Sequence, residues 1–169
     1  MDNKTDFRTK AKKIRKTLDI NEISKNLQEK IRLSETYKIA KNVLIFYPLE
    51  YEINLLPLIS DNKNFYLPRI SGDNLEICSY KPDDELTTSI FKTKEPKTPA
   101  ENAEILDLII LPALATDKNN YRLGYGKGYF DRLLAKTNAT TILPIPKELV
   151  FEKIPTESHD IPVDIVITT

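Results

Sequence analysis

Three of the four glycines in this chain, Gly124, Gly126 and Gly128, stand at alternate positions in the run Arg122-Leu-Gly-Tyr-Gly-Lys-Gly-Tyr-Phe-Asp131. Glycine is used where the backbone takes positive φ, or where a ligand must reach the main chain without meeting a Cβ. The run follows an apolar segment that reads as a buried strand, and a helical pattern begins near Tyr129. Successive N–H groups and the start of a helix can therefore converge on one point, which suits a polyphosphate. Arg122 and Lys127 bring positive charge to that point, and Asp131 offers a hard oxygen to Mg²⁺. The run fits neither common phosphate-binding template. No Ser or Thr follows Lys127, and the third glycine comes one position too early for the dinucleotide fingerprint. A plainer reading stays open: a glycine-rich turn that only lets strand and helix pack closely.

Other residues could join this chemistry. Tyr47 ends an apolar run, Val43–Tyr47, and Glu52 follows after a turn containing Pro48. Ligands of open α/β sheets bind just outside the carboxyl ends of the strands. If the strand ending at Tyr47 runs parallel and close to the one ending at Leu111, Glu52 comes to the same edge as the glycine run. Arg8 and Arg15 are seven residues apart, or two helical turns, so both can face one phosphate, or both can be solvent-facing charge. The single histidine, His159, precedes Asp160 and is expected to orient that carboxylate or cap a loop. The single cysteine, Cys78, lies in an alternating run and is expected to be a buried structural thiol; one cysteine excludes an internal disulfide and any multi-cysteine metal site.

The elements that must position these residues read as follows. Phe7, Ala11, Ile14 and Leu18 make one apolar helical stripe, backed by Arg8, Lys12, Lys13, Arg15 and Lys16. A second helix starts near Asn21, and Ser34 caps a third short turn through Ala40. Strands are expected at Val43–Tyr47, Phe65–Leu67 (closed by Pro68), Leu75–Tyr80, Leu106–Leu111, Thr141–Ile145 and Val163–Thr168. Asn54 caps a short segment over Leu55–Ile59. Lys81–Glu104 carries three prolines and no clear period, so it reads as a long loop with a short strand near Ile90. Strands alternating with helices predict one α/β domain over residues 1–169, with a mostly parallel sheet and an N-terminal helical arm.

Bulk composition narrows the partners. Hydrophobic residues are 40% and charged residues 30%, as in an ordinary globular protein, and the formal net charge is zero. No nucleic-acid or membrane partner is expected from that balance. No apolar run approaches the ~20 residues that span a bilayer, and the polar start is unlike a signal peptide. The expectation is a cytoplasmic monomer. Positive charge is concentrated at the start: twelve Lys/Arg against six Asp/Glu between Met1 and Lys41. That excess is either a solvated helical face or a basic wall folded against an anion.

The chain resembles the 5-formyltetrahydrofolate cyclo-ligase (methenyltetrahydrofolate synthetase) family. The resemblance rests on Asp107–Pro112, an Asp-x-apolar-apolar-x-Pro strand end, and on Arg122–Leu134, where every position of Arg-Leu-Gly-x-Gly-[Gly/Lys]-Gly-Tyr-[Tyr/Phe]-Asp-Arg-x-Leu is filled. Weaker matches run nearly end to end: Lys4, Phe7, Arg8 and Arg15, then Tyr47 and Glu52, then Glu95-Pro96, then Pro155–Thr168 with its Glu157, His159 and Asp160. Thr93 and Lys94 stand where a glycine is common, Glu148 where a glutamine is common, and the chain is shorter than most members.

The resemblance implies a Rossmann-like three-layer sandwich. It also implies ATP-dependent closure of 5-formyltetrahydrofolate, free or polyglutamated, to 5,10-methenyltetrahydrofolate, with ADP and phosphate released through a phosphorylated formyl intermediate. By that resemblance Lys4, Arg8 and Arg122, Leu123, Gly124, Tyr125, Gly126, Lys127, Gly128, Tyr129 and Phe130 contact ATP. Tyr47, Glu52, Tyr125 and Tyr129 contact the folate, Asp131 and Asp160 hold Mg²⁺, and Lys127, Arg122 and Tyr129 act on the reacting groups. Two rivals without this reaction are a nucleotide-binding regulatory module and a sugar-phosphate isomerase of similar architecture.

Overall fold

The computed structural model describes residues 2–169. Three helices come first: α1 Lys4–Arg15, α2 Ile20–Leu33 and α3 Glu35–Ile39. Each start is fixed by a side chain that accepts an otherwise unpaired N–H. Asn3 and Asp6 form a reciprocal capping box on α1, Asp19 caps α2, and Ser34 caps α3 as expected. Of the α1 stripe, Ala11 is buried and Phe7 and Ile14 pack against the core. Leu18 lies past the end of the helix, and Arg15 takes the buried place instead.

The strands are β1 Asn42–Leu44, β2 Asn64–Ser71, β3 Asn74–Tyr80, β4 Leu86–Thr88, β5 Lys94–Pro96, β6 Ala100–Glu101, β7 Leu108–Ile110, β8 Ala115–Asp117, β9 Arg122–Leu123, β10 Thr140–Ile145, β11 Val150–Phe151 and β12 Ile165–Thr168. Helix α4, Tyr129–Leu134, lies between β9 and β10. The main sheet has the order β12-β10-β7-β1-β2-β3-β6. Its first five strands are parallel, and β3 and β6 are antiparallel additions at one edge. Alternation along the strands divides the core in two. Val43, Ile45, Phe65, Leu67, Leu108 and Ile110 meet Leu27 and Ile31 of α2 and Tyr37 of α3. Leu44, Tyr66, Ile109, Leu111 and Leu143 face the other way, toward Ala11 of α1 and Leu133 of α4. The result is the three-layer α/β sandwich with a mostly parallel sheet.

Two sequence expectations need correction. Pro68 does not close its strand: β2 continues to Ser71, paired with β3 throughout. Tyr66 faces β1 and accepts from the Ile45 N–H, so Pro68, two residues on, faces the same side after β1 has ended at Leu44. A missing N–H costs nothing there. Ile70 is the next residue to point that way, and its N–H is met by the buried Glu95 carboxylate at 2.7 Å. The second correction concerns Lys81–Glu104, which is not one irregular loop. It folds back as the β4–β5 hairpin, followed by β6, and Ile90 stands exposed at the hairpin tip instead of in a strand. Ser89 and Thr93 pin the tip through a 2.7 Å hydroxyl pair, a local bond that hydrophobic period does not register.

Candidate active site

Parallel strands deliver their carboxyl ends to one edge of the sheet. At that edge lies a cleft of about 770 Å³, walled by the segment after β1, Pro112, the run from Arg122 to Asp131, the start of α1, the β4–β5 hairpin and the 157–160 turn. Every residue named above as an ATP, folate or metal contact lines this cleft.

The glycine run is held open by arginines. Gly126 and Gly128 have φ of 100° and 71°, where a side chain is strained; Gly124 does not. A Cβ on Gly126 would lie 3.4 Å from the Arg8 guanidinium, whose Nε donates to the Gly124 carbonyl at 2.9 Å. A Cβ on Gly128 would come within 2.9 Å of Arg132, which bridges the Lys127 carbonyl (2.9 Å) and the Asp73 carbonyl (2.6 Å). The glycines therefore admit guanidinium groups around the loop as well as any ligand. Helix α4 has only six residues, so its dipole adds little, and the loop with its cations makes the positive surface.

Arg122 is paired with Asp131 at 2.9 Å and donates to the Pro112 carbonyl at 3.3 Å. Its side chain is only 7% exposed. Burial pulls its pKa down, while Asp131 pulls the other way. Its Nε is the one buried side-chain nitrogen or oxygen, among the described residues, without a hydrogen-bond partner. Buried donors are rarely left unmet, which makes this nitrogen an exception in the cleft wall. Lys127 lies 5.8 Å from the ring centre of Phe91 at the hairpin tip, and Phe91 packs edge-on against Tyr129.

Lys4 ties the first helix to the far end of the chain, with Nζ 3.0 Å from Asp160 and 3.3 Å from Glu157. Burial alone would raise the Asp160 pKa, but the Glu157 N–H and Lys4 outweigh it and hold it below the ordinary carboxylate value. His159 is largely exposed, 3.4 Å from Glu157 and 3.7 Å from Asp160. No three His, Cys, Asp or Glu side chains gather into a complete metal cage among the described residues. Mg²⁺ beside phosphates ordinarily uses one or two carboxylates; the two expected for it, Asp131 and Asp160, line the cleft and are ion-paired to Arg122 and Lys4.

At the other end of the cleft, Glu52 is 8% exposed. Its Oε1 accepts the Leu49 N–H at 2.7 Å and its Oε2 accepts the Tyr125 O–H at 2.9 Å. Burial raises its pKa against the pull of Leu49, Tyr125 and Arg15. Arg15 does not share a phosphate with Arg8. It turns inward, donating to the Tyr125 hydroxyl at 2.7 Å and to the Tyr51 carbonyl at 3.2 Å. Two turns put the two arginines on one face but roughly 10 Å apart along the axis, so they reach different walls. Sequence reasoning missed Arg132 as a loop brace and the hairpin residues Phe91, Thr93 and Lys94 as wall; only Glu95-Pro96 signalled that segment.

Fold and site together define a three-layer α/β enzyme with one basic, glycine-lined cleft at the carboxyl edge of its sheet. The chain belongs to the 5-formyltetrahydrofolate cyclo-ligase family, whose model matches residues 1–169, and is thus of the ligase class. It is 33% identical over 144 residues to the 5-formyltetrahydrofolate cyclo-ligase of Escherichia coli (strain K12), covering 77% of this chain and 79% of that one. The solution structure of Aquifex aeolicus 5,10-methenyltetrahydrofolate synthetase matches with a TM-score of 0.86 at 30% identity, covering 98% of this chain and 89% of the other. The Mycoplasma pneumoniae 5,10-methenyltetrahydrofolate synthetase shares the fold, with a TM-score of 0.79 at 18% identity over 99% of this chain and 98% of that one.

Proposed function

We propose that this enzyme closes 5-formyltetrahydrofolate to 5,10-methenyltetrahydrofolate at the expense of ATP. The observation that carries the reading is the continuity of one cleft from the glycine run to the buried Glu52 carboxylate, with Tyr125 hydrogen-bonded to Glu52 across it. A regulatory nucleotide module would have no need of that second compartment, and an isomerase would have no need of ATP.

The chemistry accounts for the cations. A formamide oxygen is a poor leaving group, and the N10 amine beside it is a weak nucleophile. Transfer of the γ-phosphoryl group to the formyl oxygen releases ADP. N10 then attacks the formyl carbon, and the oxygen departs as phosphate. Charge grows on the transferring oxygens, so positioning and cations supply most of the acceleration. Lys127 and Arg122 neutralise that charge, and Tyr129 acts beside them on the reacting groups. Lys4, Arg8 and the residues from Leu123 to Phe130 hold the nucleotide. Tyr47 and Glu52 hold the pterin, whose amino group and ring N–H suit a carboxylate. Asp131 and Asp160 would hold Mg²⁺, which supplies further charge neutralisation on the phosphates.

In this reading the enzyme acts as a monomer and takes the folate free or polyglutamated. A cytoplasmic location fits an enzyme that consumes ATP. The test is phosphate release measured with ATP alone, folate alone and both together. Release that needs both, in equal amount to the methenyl product, is expected. ATP hydrolysis indifferent to folate would overturn the reading.

A further inference from the structure

Arg15 and Glu52 carry opposite charges into the interior, 6% and 8% exposed, and the Tyr125 hydroxyl joins them. The phenol oxygen accepts from Arg15 at 2.7 Å, which directs its own proton to Glu52 at 2.9 Å. Burial first, then Glu52, pushes the Tyr125 pKa up, so the hydroxyl keeps that proton. Both outer members are anchored in the same turn, Arg15 through the Tyr51 carbonyl and Glu52 through the Leu49 N–H. The phenol is thus clamped at its tip to the 49–52 turn. At its root it belongs to the glycine run, between Gly124, whose carbonyl Arg8 holds, and Gly126 at φ 100°. A displacement of the run moves the phenol, and with it the donor on which a buried carboxylate depends.

We propose that Tyr125 is a positioning residue that couples the two halves of the cleft, its backbone set by the nucleotide and its hydroxyl setting Glu52 for the pterin. The proposal rests on the function above, which assigns the glycine run to ATP and Glu52 to the folate. Phosphates that order the run from Gly124 to Gly128 fix the phenol, so Glu52 is presented in one geometry and the folate binds an already ordered site. Reciprocity then requires the folate to tighten ATP by the same factor.

Tyr125→Phe keeps the ring and removes only the two hydrogen bonds. Binding of 5-formyltetrahydrofolate is measured by isothermal titration with and without a saturating β,γ-imido analogue of ATP, in the intact protein. The wild type is expected to bind the folate at least about fivefold more tightly with the analogue present, the lower end of usual coupling factors. In Tyr125→Phe the factor should fall below about twofold, and the converse titration should give the same two factors. A Tyr125→Phe protein that melts at a lower temperature with the coupling factor intact would make the hydroxyl merely structural and overturn the proposal. A wild type with no coupling would overturn it too. Failure of the wild type to form the methenyl product is a different result, and it would remove the function reading itself.

Discussion

Glu52 is a carboxylate kept where burial opposes its charge. A raised folded-state pKa means that the group's contribution to stability is complete below its ordinary value of 4.5 and is lost as pH rises through the folded value. Wild type should therefore lose melting temperature relative to Glu52→Gln as pH climbs from 4.5 toward neutrality, which thermal melts across that range would show. The same substitution removes a charged acceptor, worth roughly 1.5–3 kcal/mol. The folate KM should rise about tenfold or more, beyond any rise in the ATP KM; equal folate KM values would return Glu52 to a purely structural part. Lys127 is the converse case, a cation with no protein carboxylate within ion-pair distance among the described residues. Lys127→Ala should lower kcat by roughly 10²–10³, the usual loss of one charge-stabilising donor. An unchanged kcat at saturating ATP would remove it from the reaction. At this scale the sequence was informative, because glycine spacing and charge are printed residue by residue. The inward turn of Arg15 was not, since periodicity gives a helix face but not the depth of what each turn meets.

At the level of elements, the glycine run and its arginine braces act as one unit. Gly128 caps α4 at φ 71°, with Arg132 where a Cβ would go. Gly72 turns the β2–β3 hairpin at φ 61° with nothing within 4 Å of the same point. The two alanine variants separate strain from function. Both should lose about 1–2 kcal/mol to the left-handed backbone alone, read as a drop in melting temperature. Gly128→Ala should also lose most of its activity, because Arg132 must release the Lys127 carbonyl; Gly72→Ala should keep it. Equal activities would mean that the loop path is not critical. The parallel strands and capped helices were legible because apolar runs and Asn, Asp and Ser caps follow from local chemistry. The β4–β5 hairpin was not, since its pairing is set by Ser89, Thr93 and the reach of Glu95 to Ile70, none of which makes a period.

On the scale of the whole molecule, the cleft is assembled from segments far apart in the chain. Lys4 meets Asp160 across 156 residues, and Tyr125 meets Glu52 across 73. No single window of sequence contains this site. It became legible only because a parallel sheet must bring its strand ends to one edge, and because the family pattern runs from the first helix to the last strand. The long separations also tie site to fold, since the Lys4–Asp160 pair fastens α1 to the C-terminal segment and closes one wall of the cleft. What the assembled cleft is for is tested most directly by mixing the purified protein with 5-formyltetrahydrofolate, Mg²⁺ and ATP and following the absorbance of the methenyl product. Absorbance should grow with time, stop when ATP is exhausted, and resume on adding more. Product formed at the same rate without ATP, or no product with all components present, would contradict the proposed function.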